Sequence, residues 1–329
     1  MEQNSSTIPR KGTLPFARTR GMQDALLATF LWSTVASAFK LTLGFADVST
    51  VLLTASATSL LVLYIVLLYQ GKLWRLRLLW KPRDYAKSAL LGALNPFAYY
   101  LLMFQSYDVL PAQLAQPLNY IWPVFLILFS AILLRQKVHG IFWINIGVSF
   151  AGVVVISLGG GATVLAELNL TGVACALGSA AIWALYWILN MQEDRDRIVR
   201  LFVNFAFGTL FILVYQLASG QFALPTGPGL VGSLYIGVFE MGITYVVWFR
   251  ALTSGESSSR IGNVVYLVPF LSLILIGTVV GETIHPSTFV GLLLIVSGIT
   301  LDSLLRIGWV ADSGAWLVRL ARPGVQQVK

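Results

Sequence analysis

Long apolar runs separated by short polar segments make up most of the 329-residue chain. A helix needs about 20 mostly apolar residues to cross a bilayer. The runs are continuous rather than alternating, which favours helices over the strands of a barrel. The pattern therefore predicts an all-α integral membrane protein with ten transmembrane helices. Their approximate ranges are 22–43, 48–69, 87–107, 112–134, 140–158, 170–191, 199–218, 229–250, 259–280 and 287–307.

The composition supports a lipid environment. Apolar residues make up 57% of the chain, charged residues make up 11%, and the mean hydropathy is +0.78. Soluble proteins carry about 25% charged residues, so this chain has too few to cover a surface in water. The net charge of +8 is spread over short segments between apolar runs, which argues against a basic domain that binds nucleic acid.

Basic residues mark one side of the predicted bundle. With the N-terminus in the cytoplasm, every Lys and Arg except Lys40 falls in a cytoplasmic segment or at its edge, as the positive-inside rule requires. Arg200 belongs to one of these inner segments. Both terminal tails, 1–21 and 308–329, are therefore predicted to be cytoplasmic. Lys40 has two interpretations, a side chain that snorkels to the outer interface or a positive charge at the mouth of an outward-facing cavity.

The segment 119–139 is echoed 146 residues later, at 265–285. The shift aligns a Tyr, a Pro and a His of the first segment with the same residue types in the second, without a gap. The ten helices then divide into two five-helix repeats, 22–158 and 170–307, with opposite orientations because five is odd. Inverted repeats are typical of secondary transporters, whose substrate site lies between the repeats near the bilayer midplane.

The fourth predicted helix carries a polar face. Gln113, Gln116, Asn119 and Tyr120 recur there at helical spacing, and an unpaired polar group in lipid costs roughly 1–3 kcal/mol. The face is therefore predicted to point inward, with Gln116, Asn119 and Tyr120 lining a substrate cavity. Hydrogen bonds between helices are the alternative role for these side chains.

The ninth predicted helix repeats this face with Asn263 and Tyr266, two further cavity candidates. Pro123 and Pro269 occupy matched places in the two helices, and each removes a backbone hydrogen bond in mid-span. A symmetric pair of kinks suits two elements that rock against each other. Both prolines are therefore candidate hinges, although proline is also common in transmembrane helices.

Aromatic residues occur at matched places in the first helix of each half. Trp32 corresponds to Trp183, and Tyr186 and Trp187 follow on the same face. Trp and Tyr also form belts at membrane interfaces, but Trp183 is predicted near mid-span. An aromatic wall would stack on an aromatic substrate and offer a cation–π face to an ammonium group. The aromatic candidates for substrate binding are Trp32, Tyr99, Trp183, Tyr186, Trp187, Tyr245 and Trp248.

Glu240 lies near the middle of the eighth predicted helix. Carboxylates at that depth are costly and nearly always face a cavity or a partner. Two functional roles follow, a partner for the ammonium group of an amino acid or a proton carrier for antiport. A structural ion pair, or a neutral acid bonded to a neighbouring helix, is the alternative. The matched position in the first half is Leu94, beside Asn95 and Pro96.

The sequence lacks the signatures of an enzyme. Two histidines and one cysteine suit neither a zinc site nor a Cys–His pair. The "GGGA" at 159–162 lacks the Lys and Ser/Thr of a phosphate-binding loop. We therefore expect no catalytic residue, metal or cofactor. A membrane enzyme, a lipid-handling scaffold and a passive channel are the alternatives from other classes.

The layout resembles that of the drug/metabolite transporter superfamily, whose members pair two EamA-like domains. The resemblance rests on Trp32 and Trp183 and on a Pro-centred ninth helix that ends near "GE" in "VPFLSLILIGTVVGETIHPSTFVGLLLIVSGI". The first half departs from it at Gln136, which stands where the second half has Glu282. For Glu282 we expect a capping or packing role at an outer helix end. More closely, the whole chain resembles bacterial aromatic amino-acid exporters of the YddG type.

The resemblance implies a basket of ten helices around a central cavity in a bacterial inner membrane. It implies a secondary transporter that exports amino acids from the cytoplasm by alternating access, with the aromatic ones (Phe, Tyr and Trp) as first candidates. Another small metabolite, a lipophilic cation or passive facilitation is the alternative. The lack of Lys or Arg at any predicted mid-span argues against a phosphate-bearing conjugate. We expect the substrate and lipid as partners, and a monomer as the working unit.

Overall fold

The computed structural model describes residues 20–77, 81–133, 140–158, 169–191, 195–220, 222–254 and 258–306. Across these ranges the regular structure is helical. The α-helices are α1 (Arg20–Leu43), α2 (Val48–Tyr69), α3 (Pro82–Gly92), α4 (Tyr99–Val109), α5 (Ala112–Asn119), α6 (Trp122–Leu133), α7 (Gly140–Leu158), α8 (Leu170–Met191), α9 (Arg197–Ala218), α10 (Gly227–Tyr235), α11 (Thr244–Leu252), α12 (Ser258–Val264), α13 (Val268–Leu275) and α14 (Pro286–Arg306).

Seven helical stretches in the described part of the chain are long and apolar enough to cross a membrane. They are Arg20–Leu43, Val48–Tyr69, Ala112–Leu133, Leu170–Asn190, Arg197–Ala218, Gly227–Leu252 and Ile261–Val280. Two shorter apolar helices, Trp143–Leu158 and Pro286–Thr300, accompany them. The prediction of an all-α membrane protein is confirmed at this level, and the count of ten crossings stays a prediction.

Several helices are interrupted in mid-course. Wider π-helical turns occur at Ala93–Ala98, between α3 and α4, at Ile236–Ile243, between α10 and α11, and at Ile276–Val280, after α13. The first of these is also kinked, because the backbone of Asn95 is extended (φ −146°, ψ 118°). The other interruptions directly precede Pro123 and Pro269, the predicted kink positions. Each proline is buried in the first turn of the helix that follows the break, where its missing N–H leaves no backbone partner unsatisfied.

Small residues let helices α7 and α14 approach closely. A Cβ atom on Gly152 would overlap the carbonyl oxygen of Gly291, and one on Gly291 would overlap that of Gly152. Further along the pair, Gly298 approaches the carbonyl of Asn145 in the same way. Between these contacts the Ser149 hydroxyl donates to the carbonyl of residue 295 at 3.3 Å. Packing through small residues is the usual way to join helices in lipid, where neighbouring tails are as apolar as the side chains.

A second pair of glycine contacts sits beside the π-helical turns. Gly92, at the end of α3, lies against the backbone carbonyl of Asn204 on α9. Gly237, in the turn between α10 and α11, lies against the carbonyl of Ala55 on α2. Ala55 and Asn204 are 149 residues apart. A shift of this size therefore matches the residue that Gly237 contacts on α2 with the residue that Gly92 contacts on α9.

The same 149-residue shift relates two aspartates that begin helices. Asp47 precedes α2 and accepts a hydrogen bond from the Thr50 N–H at 3.0 Å. Asp196 precedes α9, accepts from the N–H groups of the first turn, and pairs with Lys72 at 3.0 Å and Arg75 at 2.9 Å. Burial by itself raises the pKa of both carboxyls, but hydrogen bonds outweigh it and hold each pKa below the ordinary 3.8. Both helix starts are thus capped by charge.

Candidate substrate site

Glu240 lies inside the π-helical turn Ile236–Ile243 and is only 6% exposed. The Tyr100 hydroxyl donates to its Oε1 at 3.0 Å. Its Oε2 has no hydrogen-bond partner within the described residues. A buried carboxylate oxygen without a partner is costly, and π-helical turns occur often at functional sites. The arrangement leaves one oxygen of the Glu240 carboxylate available to a substrate or a proton.

A chain of polar groups connects Glu240 with Asn95, in the interruption between α3 and α4. The hydroxyls of Tyr100 and Tyr245 lie 3.4 Å apart, and the Asn95 amide donates to the Tyr245 hydroxyl at 3.2 Å. Asn95 sits in the turn Ala93–Ala98. The two π-helical turns therefore meet through side chains, although Leu94, the position matched to Glu240 by sequence, carries no polar group.

Trp183 is the centre of the aromatic cluster. Tyr99 stacks on it with ring centroids 4.6 Å apart and Tyr186 at 5.9 Å, while Trp187 and Tyr245 meet it edge-on at 5.7 and 6.0 Å. These spacings match the favourable geometries for aromatic pairs. The structure thus brings together five of the predicted aromatic candidates from helices α4, α8 and α11.

Trp32 extends this cluster. Its ring lies 6.4 Å from Tyr245 and 5.3 Å from Trp248. Tyr120 and Tyr266 pack with Trp32 and Trp248 in one apolar cluster. Trp32, Tyr120 and Tyr266 are each half-buried, so this side of the aromatic cluster stays partly accessible.

The predicted polar lining residues have different surroundings. Gln116 is 4% exposed, and its Oε1 has no partner within the described part of the chain. Asn119 donates to the Ser179 hydroxyl on α8 at 2.9 Å, which is the interhelical role weighed as the alternative. Asn263 is exposed on α12, and the described contacts do not join it to the aromatic cluster.

Sequence reasoning missed a buried polar group on α9. Asn204 is fully buried, and neither atom of its amide has a hydrogen-bond partner within the described residues. The same holds for the Tyr186 hydroxyl. Asn95 and Asn204 lie close to that hydroxyl, and the Arg200 guanidinium acts on it electrostatically. The isolated Asn in the apolar run "RLFVNFAFG" was the available signal.

Arg200 was predicted at the edge of an inner segment, and the structure places it in the first turn of α9, only 4% exposed. Its burial was not predicted. Arg200 already has an interaction within the protein, and it does not lie at mid-span. Charged groups of this kind are buried only when they are paired or functional.

The chemistry available at this site is recognition rather than bond making. Aromatic faces, one carboxylate oxygen and several amide and hydroxyl groups converge, which suits a small molecule with an apolar ring and polar ends. In the described ranges no three His, Cys, Asp or Glu side chains come together as ligands of a metal ion would.

Three relatives place these features among transporters. The uncharacterized transporter YvbV of Bacillus subtilis (strain 168) is 31% identical over 243 residues, covering 73% of this chain and 77% of that protein. A probable terminal-alkyne amino-acid exporter of Streptantibioticus cattleyicolor is 26% identical over 235 residues, 69% of this chain and 76% of that one. The aromatic amino acid exporter YddG of Ancylobacter novellus is 25% identical over 214 residues, 64% of this chain and 73% of that one.

The family comparison covers nearly the whole chain. The EamA-like transporter family matches residues 19–158 and, a second time, residues 170–304. The same family unit therefore occurs twice in succession, and helices long and apolar enough to span a membrane are present in both matches. The chain belongs to the EamA-like transporter family.

Proposed function

We propose that this protein is a secondary transporter that exports amino acids, aromatic ones first, from the cytoplasm by alternating access. The observation that carries the proposal is the Glu240 carboxylate, buried with one free oxygen beside a cluster of Trp and Tyr rings. Two relatives are named amino-acid exporters, which supports the substrate class.

The proposed architecture is ten helices in two inverted repeats. The 146-residue shift matches Gly152 with Gly298 and Gly291 with Asn145. Gly152 contacts Gly291, and the matched residues Gly298 and Asn145 also contact each other. Such reciprocal contacts are expected of units related by a two-fold axis, and an axis in the membrane plane is common in transporters. The glycine contacts and the capped helix starts of α2 and α9 support the same relation.

Helix packing supports it as well. Helix α1 packs against α11 and α13, and α8 packs against α4 and α6. The 146-residue shift matches α1 with α8, α11 with α4 and α13 with α6. The contacts of α1 in one half therefore correspond to the contacts of α8 in the other. In this arrangement 22–158 and 170–307 are the two repeats. The tails 1–21 and 308–329 face the cytoplasm of a bacterial inner membrane, in accordance with the distribution of Lys and Arg.

The substrate chemistry follows from the groups that converge. Trp183 and its neighbours offer stacking surfaces to an aromatic ring and cation–π faces to an ammonium group. Glu240 supplies a negative charge for that ammonium group. Asn204 and Tyr186, next to Arg200, supply hydrogen-bond donors for a carboxylate. A zwitterion with an aromatic side chain has a partner for each of its parts.

Glu240 has two roles within this function. As a substrate partner it would hold the ammonium group while the site is loaded. As a proton carrier it would bind a proton when the amino acid leaves, which couples export to a proton gradient. In either role the carboxylate needs the free oxygen that the structure provides, and the Tyr100 hydrogen bond holds the other oxygen in place.

A lipophilic cation is the second candidate substrate. Trp32 is half-buried and packs on Trp248, and aromatic faces beside a carboxylate also suit a cation without a carboxylate group. Such a substrate would leave the amides near Arg200 unused. Transport of an aromatic amino acid should therefore depend on Asn204, and transport of a lipophilic cation should not. Passive facilitation would use the same cavity without a coupled proton.

The test is counterflow of labelled phenylalanine and tryptophan in liposomes that hold the purified protein. Saturable uptake is expected, with competition by unlabelled aromatic amino acids. Phenethylamine, which lacks the carboxylate, and phenylpropionate, which lacks the ammonium group, should compete at least about tenfold more weakly, since each leaves buried groups unpaired. Competition by phenethylamine and tetraphenylphosphonium but not by phenylalanine would replace the amino acid with a cation. A lack of saturation would indicate a passive channel, and saturable exchange that does not respond to a pH gradient would indicate passive facilitation.

A further inference from the structure

Glu282 connects the two halves at one end of the fold. It follows the turn Ile276–Val280, and its carboxylate accepts hydrogen bonds from the backbone N–H groups of Ala112, at 2.8 Å, and Gln113, at 3.1 Å. These are the first amides of α5, which have no partner within their own helix. A carboxylate is the favoured partner there because it also meets the positive end of the helix dipole. The cap comes from 170 residues away in the chain.

The Gln113 side chain strengthens the same junction. Its amide nitrogen donates to the Thr283 carbonyl at 2.8 Å, and its amide oxygen accepts from the His285 N–H at 3.0 Å and from the Thr288 hydroxyl at 3.2 Å. Gln113 is only 4% exposed. Both ends of the amide are therefore occupied by the segment that leads into α14, and little water reaches these bonds.

Lys40 on α1 forms a second contact between helices beside the first. Its ammonium group donates to the carbonyl oxygens of Tyr107 at 2.8 Å and Leu110 at 2.9 Å, at the end of α4. It thus neither snorkels away nor stands free. Lys40, Gln113 and Glu282 line a shared cavity of about 440 Å³. The end of the fold that is predicted to face outward is tied across α1, α4, α5 and the start of α14.

The two residues of this junction are not repeated at the matched positions of the sequence. The 146-residue shift that relates the halves places Ser259 opposite Gln113 and Gln136 opposite Glu282. The shift thus replaces the capping carboxylate by an amide and the long amide by a hydroxyl. At these two positions the sequence repeat is broken.

The other end of the fold carries a polar contact of its own. The Arg250 guanidinium on α11 donates to the Asp24 carboxylate on α1 at 3.0 Å. Ala25 and Ala251, next to this pair, are fully buried. The outer junction therefore differs from the inner one in its residues and partners.

We propose that Glu282 and Gln113, with Lys40, form a latch that holds the outer end of the transport path together. This proposal rests on the proposed function, transport by alternating access. Release of substrate to the outside breaks the five hydrogen bonds between the Ala112–Gln113 start of α5 and the segment that leads into α14. The latch therefore sets how seldom the empty protein opens outward.

The test is the labelling rate of a buried cysteine beside the latch. Cys175, the single native cysteine, is replaced in Cys175→Ser, and Leu110→Cys then places a thiol at a position that lines the cavity and is 2% exposed. A membrane-impermeant maleimide is added to the outside of intact cells. We expect slow labelling in this parent and at least about tenfold faster labelling after Glu282→Ala, since hydrogen bonds to a charged group are lost. Gln113→Met, of similar length, should act in the same direction.

Asp47→Asn is the matched control. Asp47 also caps a helix at this end, but its partners Ser49 and Thr50 are local, so the labelling rate should stay at the parent value. The proposal is overturned if neither Glu282→Ala nor Gln113→Met changes the rate, or if Asp47→Asn raises it equally. If Glu282→Ala does not fold, Gln113→Met alone decides. The assay needs no substrate, so a failed transport assay and a failed latch are told apart.

Discussion

Two interruptions, Ala93–Ala98 and Ile236–Ile243, lie at nearly matched places in the two halves and differ in both backbone and side chains. The 146-residue shift brings one nearly onto the other, and both interrupt a helix beside a close glycine contact. The first is kinked at Asn95, whose backbone is extended, and the second is a π-helical turn that holds Glu240, the buried acid. An interruption at this place thus belongs to both halves, while the carboxylate is present in one of them.

The glycine contacts give the same lesson. Gly92 approaches Asn204, and Gly237 approaches Ala55, by equivalent geometry. In each half the close approach of two helices requires a glycine on one of them. The residue that it contacts on the facing helix can differ, as Asn204 and Ala55 do. Only the contact on α9 carries a polar side chain. Repeated positions therefore report on folding, and positions where the repeat is broken report on substrate chemistry.

The largest effect should come from Glu240. Glu240→Ala removes the only carboxylate that the described residues place among the aromatic rings, and we expect the transport rate to fall about 100-fold, as for loss of a charged hydrogen-bond partner. Leu94→Ala, at the matched position, should change the rate less than about threefold. Initial rates in liposomes, normalised to protein amount, provide the comparison. Equal losses in the two variants would show that the asymmetry carries no function.

The next effect concerns the scaffold. Gly92→Val and Gly237→Val should each lower the free energy of unfolding by about 1–3 kcal/mol, because the added carbons overlap backbone atoms of the facing helix. Gly147→Val on α7, where a Cβ meets open space, is the control and should change it little. Thermal denaturation in detergent measures all three. A tolerated valine at one of the first two positions would break the equivalence of the halves.

Asn204 should show opposite effects on stability and transport. Asn204→Leu replaces a buried amide that has no hydrogen-bond partner within the described residues, so we expect unfolding to become harder by about 1 kcal/mol. The same change should weaken phenylalanine binding about tenfold, since a carboxylate partner is lost. Ala55→Asn, the reverse change at the matched position, should destabilise the protein by about 1–3 kcal/mol. A less stable Asn204→Leu would indicate that the amide serves packing alone.

The smallest effect should separate the two helix caps. Both variants, Asp47→Asn and Asp196→Asn, keep a good capping residue, but the second also loses the ion pairs with Lys72 and Arg75. We expect a cost of about 0.5–1 kcal/mol for Asp196→Asn, reduced by salt, and less for Asp47→Asn. Thermal denaturation at low and high salt measures this difference, and equal costs would show that the ion pairs add nothing.

The pKa shifts set the pH dependence of these caps. Because the folded pKa of each carboxyl lies below 3.8, the stabilisation is complete above about pH 4 and is lost as the pH falls through the folded pKa. Denaturation midpoints of the wild type should therefore drop below pH 4, and the two variants should show a smaller drop.

The sequence predicted an all-helical membrane protein, because apolar length is visible in a chain. The role of the aromatic residues in substrate binding stays a prediction. Trp32 and Trp183, matched by their places in the first helices of the halves, do join one aromatic cluster through Tyr245. Glu240 stood out because its charge lies in an apolar run. These features depend on single residues and their immediate neighbours.

Other features depended on geometry that periodicity does not encode. A π-helical turn changes the facing of every residue after it, so helical spacing did not identify Tyr100 as the partner of Glu240. The burial of Arg200 was not predicted because a basic residue at the edge of a predicted helix usually reaches water. The hydrogen-bond partners of the Gln113 side chain are 170 or more residues away, and only the folded chain reveals them.

The most direct test of the central claim is exchange of labelled phenylalanine by wild-type protein and Glu240→Gln in liposomes, with and without an imposed pH gradient. Glutamine keeps the shape of the side chain and removes its charge. We predict that Glu240→Gln loses binding and exchange, if the acid holds the ammonium group, or keeps exchange and loses the response to the gradient, if it carries the proton. Exchange that equals wild type under both conditions would contradict the claim that Glu240 performs the work of this site.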